Sequence, residues 1–116
     1  MTLRGVRREH ANLRRSITKL CVLAALTDEP SHAYALSRRL VSWHELCGAE
    51  GDLYRCLRTL EAHGYLKHSW RSSDTGPPRK VYSVTTSGSS FLVELSQTWE
   101  ALIPLLSHVC SRHRSI

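Results

Sequence analysis

Apolar residues in the first quarter of the chain recur at intervals of three and four, which is the spacing of one face of an α-helix. They are Leu13, Ile17, Leu20 and Ala24. We predict a long first helix over this stretch that ends near Thr27, because the residue before Pro30 is disfavoured in helical geometry. The preceding residues, Met1 to His10, are basic and show no such periodicity, so residues 1–12 are expected to form an arm.

Two shorter helices are predicted next. Ser31 is suited to cap the first of them, which runs to Val41. This helix is expected to bury Tyr34, Leu36 and Leu40. The following helix extends from about Gly51 to His63, and Gly64 stands where a left-handed residue commonly ends a helix. The buried face of this third helix comprises Leu53, Leu57 and Leu60.

The periodicity then changes from that of a helix to that of a strand. Residues 65–70 and 80–85 alternate in the manner of two strands. The turn-rich segment 72–79, which contains Pro77 and Pro78, is expected to join them as a hairpin.

The last part of the chain carries a heptad-like seam, the pattern with which one helix packs along another. Its members are Leu92, Leu95, Trp99, Leu102, Leu106 and Val109. Thr85 or Thr86 is expected to cap this helix. Pro104 is expected to kink it or weaken it by about 3 kcal/mol, and the turns after His108 are expected to fray. We predict that two copies of the chain pair through this seam. The first helix adds Leu13 and Ile17 to the same interface.

The order of these elements predicts a mainly α fold with a small β-hairpin (α+β). Three helices followed by a hairpin form a winged helix-turn-helix, here at residues 13–85. The arm at residues 1–12 precedes this domain, and residues 86–116 form a C-terminal dimerisation helix.

The chain has 116 residues and a formal net charge of +6. An excess of cations on a small domain favours a polyanionic partner, of which nucleic acid is the commonest. The sequence holds no recognisable nucleophile turn or phosphate-binding glycine loop, so we do not expect an enzyme. The longest apolar run, Leu20 to Leu26, is far shorter than the roughly 20 residues that span a bilayer. We therefore expect a cytoplasmic protein without a membrane partner.

Side chains that point away from the buried face of the third helix are suited to bind double-stranded DNA. They are Tyr54, Arg55, Arg58 and Thr59. Arginine can bind a guanine edge or a phosphate through paired hydrogen bonds, and a tyrosine hydroxyl can reach a phosphate. The hairpin and the first helix are expected to add contacts to the DNA backbone. These come from Arg71, Arg79, Lys80, Arg14, Arg15 and Lys19. A solvated helix face and an ordinary basic hairpin are the alternatives.

Four cysteines and seven histidines raise the question of a metal, haem or thiol-redox site. The candidates are His44, Cys47 and Cys56. Their spacing matches no compact zinc signature. Cys21 and Cys56 also fall on or beside apolar helix faces, where thiols are commonly buried as small apolar groups. We therefore expect no cofactor.

Three segments of the sequence resemble the PadR family of transcriptional regulators. LYRCLRTLEAHGYL at residues 53–66 is similar to the recognition helix of that family, and GPPRKVYSVTTSG at residues 76–88 is similar to its wing and following cap. PSHAYAL at residues 30–36 resembles the start of its second helix. The resemblance implies a homodimeric repressor that binds inverted-repeat DNA and releases it on binding a small effector. The single C-terminal helix suits the short subfamily.

The resemblance also implies an effector site at the centre of the dimer. In multidrug-sensing members of the short subfamily, a tryptophan follows a glycine at the distance at which Trp99 follows Gly88, and its two copies line a flat apolar chamber. Trp99, with Leu95 and Leu92, is thereby a candidate for binding a planar hydrophobic or aromatic molecule. A tryptophan that only fills the dimer core is the alternative.

Two features depart from the family pattern. Ala33 stands where glycine is usual, and Glu50 and Asp52 stand at the start of the third helix, where the family favours small hydroxyl residues. Carboxylates suit the positive end of the helix dipole, but they repel phosphates that lie close to that end. They leave open a second function, that of a winged-helix protein-interaction module with weak or no DNA binding.

Overall fold

The computed structural model describes residues 3–43 and 50–114. The elements in these ranges are, in order, α1 (Leu3–Asp28), β1 (Ser31–His32), α2 (Ala33–Arg39), a 3-10 helix (Leu40–Trp43), α3 (Glu50–Ala62), β2 (Leu66–Ser73), β3 (Gly76–Val84) and α4 (Thr86–Arg112). The strands form one antiparallel sheet in the order β1-β3-β2. The mainly helical fold with a β-hairpin is confirmed, and β1 is an additional strand that the sequence analysis missed.

Helix α1 begins earlier than predicted. It is helical from Leu3, so residues 3–12 of the predicted arm are part of this helix. Residues 6–13 are all exposed, which explains why they carry no apolar stripe. Arginine, glutamate and alanine are good helix formers, and extending an existing helix requires no new nucleus. The helix therefore continues without an apolar face to pack.

The C-terminus of α1 lies close to the predicted Thr27. Its last carbonyl groups lack partners within the helix and need donors from elsewhere. Arg39 at the end of α2 supplies one, because its guanidinium donates to the Ala25 carbonyl; it also donates, at 2.8 Å, to the carbonyl of Glu29, the residue after the helix. This contact joins the ends of α1 and α2.

The second helix differs from the prediction at its start. Its N-cap is His32 rather than Ser31, and Nδ1 of the His32 side chain lies 3.3 Å from the Ala35 amide. Ser31 instead pairs with Tyr82 of β3 in the short strand β1. Two residues of strand are too short for a periodicity to be visible in the sequence.

The burial of α2 is predicted correctly except at Tyr34. Leu36 and Leu40 are buried, whereas Tyr34 is 62% exposed. Tyr34 lies two residues before Leu36, which places it about 200° around the helix axis and away from the core. The regular helix also ends at Arg39, short of the predicted Val41, and continues as the 3-10 helix.

The hairpin is longer and more tightly turned than predicted. Strands β2 and β3 pair from Leu66 opposite Val84 to Ser73 opposite Gly76, with an irregularity between Arg71 and Ser73. Pro77 and Pro78 therefore lie within β3 rather than in a loop. Proline is tolerated in a strand where its missing N–H faces no partner. Here β1 pairs with β3 only at residues 81–82, and the irregularity between Arg71 and Ser73 leaves the two prolines without a register partner in β2.

One buried apolar cluster holds α1, α2, α3 and the sheet together. The contributions of α1 are Cys21, Val22, Leu23, Ala25 and Leu26. Those of α3 are Leu53, Cys56, Leu57 and Leu60. The predicted buried face of α3 is thereby confirmed.

Hydrogen bonds of the Gly64 backbone and the Thr85 side chain join the end of α3 to the start of α4. Gly64 has a φ of +78°, and its amide donates to the Glu61 carbonyl at 3.0 Å. This is the left-handed helix end that the sequence predicts. Thr85 is the N-cap of α4, as expected, since its Oγ1 accepts from the Gly88 amide at 3.0 Å. The same hydroxyl donates to the Gly64 carbonyl at 2.6 Å, so one threonine bridges the two helices.

Helix α4 is continuous through Pro104 to Arg112, beyond the point at which fraying was expected. Its first part packs on the domain, where Phe91 and Leu92 contact the core cluster. Leu95 and Trp99 are half-buried. From residue 100 to residue 114 every side chain is exposed in the single chain.

Candidate nucleic-acid interface

Helix α3 has one buried face and one exposed face. Its apolar residues point into the core, whereas the residues between them point outward. The outward residues are Tyr54, Arg55, Arg58 and Thr59, all of them exposed. The structure therefore places all the α3 residues predicted to bind DNA on one surface of the helix.

Cations of α1 lie beside this surface. A pocket of about 110 Å³ between α1 and α3 is lined by Arg15, Thr18, Lys19, Asp52, Arg55, Cys56 and Thr59. Arg15 and Lys19, which are predicted to contact DNA, are thus brought next to Arg55. We call these three residues the α1–α3 cation group. Arg14 is half-buried, unlike Arg15 and Lys19, and is less suited to reach a ligand.

The acidic start of α3 is partly neutralised by the same group. The Oδ1 atom of Asp52 lies 3.4 Å from a guanidinium nitrogen of Arg55, and the Arg55 side chain is 65% exposed. An ion pair this exposed contributes little stability, so a phosphate can compete for the arginine at small cost. The side chain of Glu50 lies outside the described part of the chain.

The predicted cations of the hairpin are divided between its two faces. Arg71 pairs directly opposite Arg79, whereas Lys80 pairs opposite Trp70. Because successive strand residues point to opposite faces, Arg71 and Arg79 share one face and Lys80 lies on the other. Lys67 stands an even number of residues before Arg71 and is exposed, so it belongs to the face of the two arginines. Lys67 is not among the residues predicted from the sequence to bind DNA, although the alternation of the strand places it on this face.

Lys80 connects the hairpin to α3 rather than projecting freely. Its Nζ atom lies 3.6 Å from Glu61 Oε1 and 5.2 Å from the centre of the Tyr82 ring. His68 of β2 also hydrogen-bonds Glu61 through Nδ1. The hydrogen bond from His68, with the charge of Lys80, holds the pKa of Glu61 below its usual value. Hydrogen bonding to Tyr82, assisted by the charge of Glu61, raises the pKa of Lys80.

Arg79 contacts a residue that the sequence analysis assigned no role. A guanidinium nitrogen of Arg79 lies 3.0 Å from His32 Nε2. The contacts of Glu61 with Lys80 and His68 join α3 to the hairpin, and the contact of His32 with Arg79 joins residues 47 positions apart. No pattern within one element identifies them.

The residues predicted for the dimer interface and effector site form the outer surface of α4 and part of α1. Leu102, Leu106 and Val109 are at least 50% exposed, as is Leu13. Ile17 is half-buried against the core. The apolar surface of α4 is broader than the predicted seam, since Val93, Ile103 and Leu105 are also exposed. Apolar patches of this kind commonly mark contact surfaces.

The predicted absence of a cofactor is not decided by the structure. His44 and Cys47 lie outside the described residues, and Cys56 is buried between α1 and α3. Within residues 3–43 and 50–114, no three potential ligands are close enough together to hold a metal ion. Of the helices in those ranges, none has the length and apolar character to cross a membrane.

Comparison with known proteins identifies the family. The chain matches the family model described as the transcriptional regulator PadR-like family over residues 22–94. The structure of a PadR-like transcription factor from Bacteroides fragilis is 32% identical with a TM-score of 0.70, and the match covers 90% of this chain and 98% of that chain. A PadR family regulator from Eggerthella lenta is 31% identical with a TM-score of 0.76, and the match covers 90% of each chain.

A PadR-like regulator from Bacillus cereus shares the fold at 23% identity and a TM-score of 0.72, over 84% of this chain and 95% of that chain. The comparison with curated proteins gave no match. The winged-helix fold is confirmed by these structures, and the family model and the solved relatives describe transcriptional regulators rather than enzymes. The chain belongs to the PadR-like family of transcriptional regulators.

Proposed function

We propose that this regulator is a homodimeric repressor that binds an inverted-repeat operator and releases it when a small effector binds. The observation that carries the proposal is the outward surface of α3. Arg55 and Arg58 are exposed there, and Arg15 and Lys19 of α1 lie beside Arg55. Guanidinium groups on a helix can bind guanine edges in the major groove, while flanking cations bind phosphates and fix the register.

The hairpin acts as a wing that follows the DNA backbone. Lys67, Arg71 and Arg79 lie on one of its faces, and Arg71 stands directly opposite Arg79. Like charges in directly opposite positions destabilise a sheet. A polyanion that binds between them relieves this repulsion, which supports a phosphate-binding role for this face.

Dimerisation occurs through the apolar surface of α4. Leu102, Leu106 and Val109 are at least half exposed in the single chain, and a second copy would bury them. The two α3 helices would then lie about 34–36 Å apart, one turn of the duplex, so that each reads one half-site.

The effector binds where the two α4 helices meet the domains. Leu92, Leu95 and Trp99 are half-buried and adjacent on α4. They offer a partly covered apolar wall that a planar aromatic molecule could stack against. A ligand that binds better to one arrangement of the two protomers shifts the dimer toward it and changes the half-site spacing.

The proposal is tested by selecting bound DNA from a random pool and measuring its affinity by fluorescence anisotropy. We expect an inverted repeat to be enriched. Arg58→Ala should weaken specific binding by about tenfold or more, whereas Arg112→Ala, which removes an equal charge at the far end of α4, should have little effect. Equal losses of DNA-binding affinity for both variants would show that the protein binds DNA only through non-specific charge attraction. Failure to enrich any sequence at any salt concentration would favour the protein-interaction module.

A further inference from the structure

His32 lies between helix α2 and the wing. Its Nδ1 atom is 3.3 Å from the backbone amide of Ala35 in the first turn of α2. Its Nε2 atom is 3.0 Å from the guanidinium of Arg79. The strand register sets this arrangement, because His32 pairs with Val81 in β1–β3 and Arg79 lies two residues from Val81 on the same face of the sheet.

Both partners of the His32 ring are hydrogen-bond donors only. A backbone amide and a guanidinium carry N–H groups and no lone pair that could accept. A neutral imidazole has one nitrogen that accepts, and a protonated imidazole has none. His32 can therefore hold Arg79 or cap α2 when it is neutral, and it can do neither when it is protonated. The contact with Arg79 is the shorter of the two.

We propose that neutral His32 is a positioning residue that holds Arg79 in place to bind a DNA phosphate. This inference rests on the proposed function, in which Arg79 contacts the DNA backbone. One N–H of the guanidinium is used by His32, and the others remain available for phosphate oxygens. Preorganising a flexible side chain in its bound position removes part of the entropy cost of binding.

The charges around His32 explain why Arg79 needs a neutral partner. Arg71 of β2 lies directly opposite Arg79, and Lys67 lies further along the same face, while α2 presents the uncharged amide of Ala35. Arg79 is thus repelled by the other cations of its face and has His32 as its acceptor. Protonating His32 removes the acceptor and adds a further positive charge, so the contact with Arg79 breaks.

The test compares five proteins on the operator selected from the random pool: the parent chain, His32→Ala, His32→Gln, Arg79→Ala and the double variant His32→Ala with Arg79→Ala. We expect His32→Ala to weaken DNA binding at pH 8 by about threefold to tenfold. His32→Gln should stay within about twofold of the parent, because its amide oxygen accepts from the guanidinium. In a chain that already carries Arg79→Ala, the further change His32→Ala should have no additional effect on affinity.

The comparison with Arg79→Ala separates positioning from simple capping, because only a role that acts through Arg79 disappears when Arg79 is absent. Thermal unfolding of each variant identifies loss of the α2 cap, which Arg79→Ala does not reproduce. An equal cost of His32→Ala with and without Arg79 would overturn the inference. If Arg79→Ala itself leaves DNA binding unchanged, the result contradicts the proposed contact between the wing and phosphate, on which the role of His32 rests.

Discussion

The contact between α4 and the end of α3 can be tested at Gly88. A methyl group on this residue would lie 2.1 Å from the Tyr65 carbonyl oxygen and 2.9 Å from Cγ1 of Val84. The Tyr65 carbonyl is backbone, and it also accepts a hydrogen bond from the Thr85 amide at 3.1 Å. It cannot rotate away as the end of a flexible side chain would. Gly88→Ala must therefore separate the start of α4 from Tyr65.

The size of the effect follows from three contributions. The atoms must move apart by about 1 Å, and overpacking of this kind typically costs about 1–3 kcal/mol. Weakening the hydrogen bond from Thr85 to Tyr65 adds about 1 kcal/mol. Replacing glycine by alanine within a helix stabilises the helix by about 1 kcal/mol and offsets part of this loss. We expect Gly88→Ala to lower the free energy of unfolding by about 1–3 kcal/mol, which for a chain of this size lowers Tm by about 4–12 °C.

Thermal unfolding followed by circular dichroism measures this change, at one fixed protein concentration because the proposed dimerisation would make Tm concentration-dependent. Gly76→Ala is the matched control, since a methyl group there meets no atom within 4 Å. It should alter stability by less than about 0.5 kcal/mol. If Gly88→Ala unfolds at the same temperature as Gly76→Ala, the close approach of α4 to Tyr65 does not constrain the fold.

Three further predictions concern the dimer, the effector and the wing. Leu106→Glu should convert the dimer to a monomer in sedimentation velocity while Arg112→Glu leaves it intact, and a dimer in both would exclude the α4 interface. Trp99→Ala should weaken binding of a planar aromatic dye such as ethidium, measured without DNA, by about tenfold. Unchanged affinity for the dye would show that it does not bind at Trp99. Glu61→Gln should destabilise the chain by less than about 1 kcal/mol at neutral pH. Hydrogen bonding from His68 lowers the pKa of Glu61 below the usual 4.5, so its stabilisation is present above that pH and is lost as the pH falls through the lowered pKa. Denaturant titrations should show that the free energies of unfolding of the parent chain and Glu61→Gln become equal in acid. A difference that persists there would contradict the stabilising role of ionised Glu61.

The elements with a strong periodicity are those that the sequence predicts well. Helix α3 is predicted within a residue at each end, because its apolar face is regular and Gly64 marks its end. The first ten residues of α1 lack such a face, and their helix depends on propensity and continuation rather than on packing. Strand β1 depends wholly on its partner β3. Neither of these leaves a pattern that can be read locally.

The candidate site likewise has one part that the sequence predicts and another that it does not. The outward side chains of α3 follow from helical geometry once its buried face is known. The roles of the wing cations do not follow from spacing in the sequence, because a shift in the hairpin register decides which side chains share a face. Lys80 is thereby separated from Arg71 and Arg79 and bonded to Glu61. These arrangements depend on contacts between distant segments, which spacing within one segment does not reveal.

The links at the C-terminal end of α3 also bear on how an effector could act. Glu61 joins α3 to the wing through His68 and Lys80, and Gly64 joins it to α4 through Thr85. Helix α3, the wing and the start of α4 are therefore connected within about one helical turn. We expect a ligand that shifts α4 to move α3 and the wing together, which would alter the distance between the proposed half-sites more than the fit within one half-site. Lengthening or shortening the spacer of the operator by one base pair should then change how strongly the effector weakens DNA binding, whereas a base change within a half-site should not.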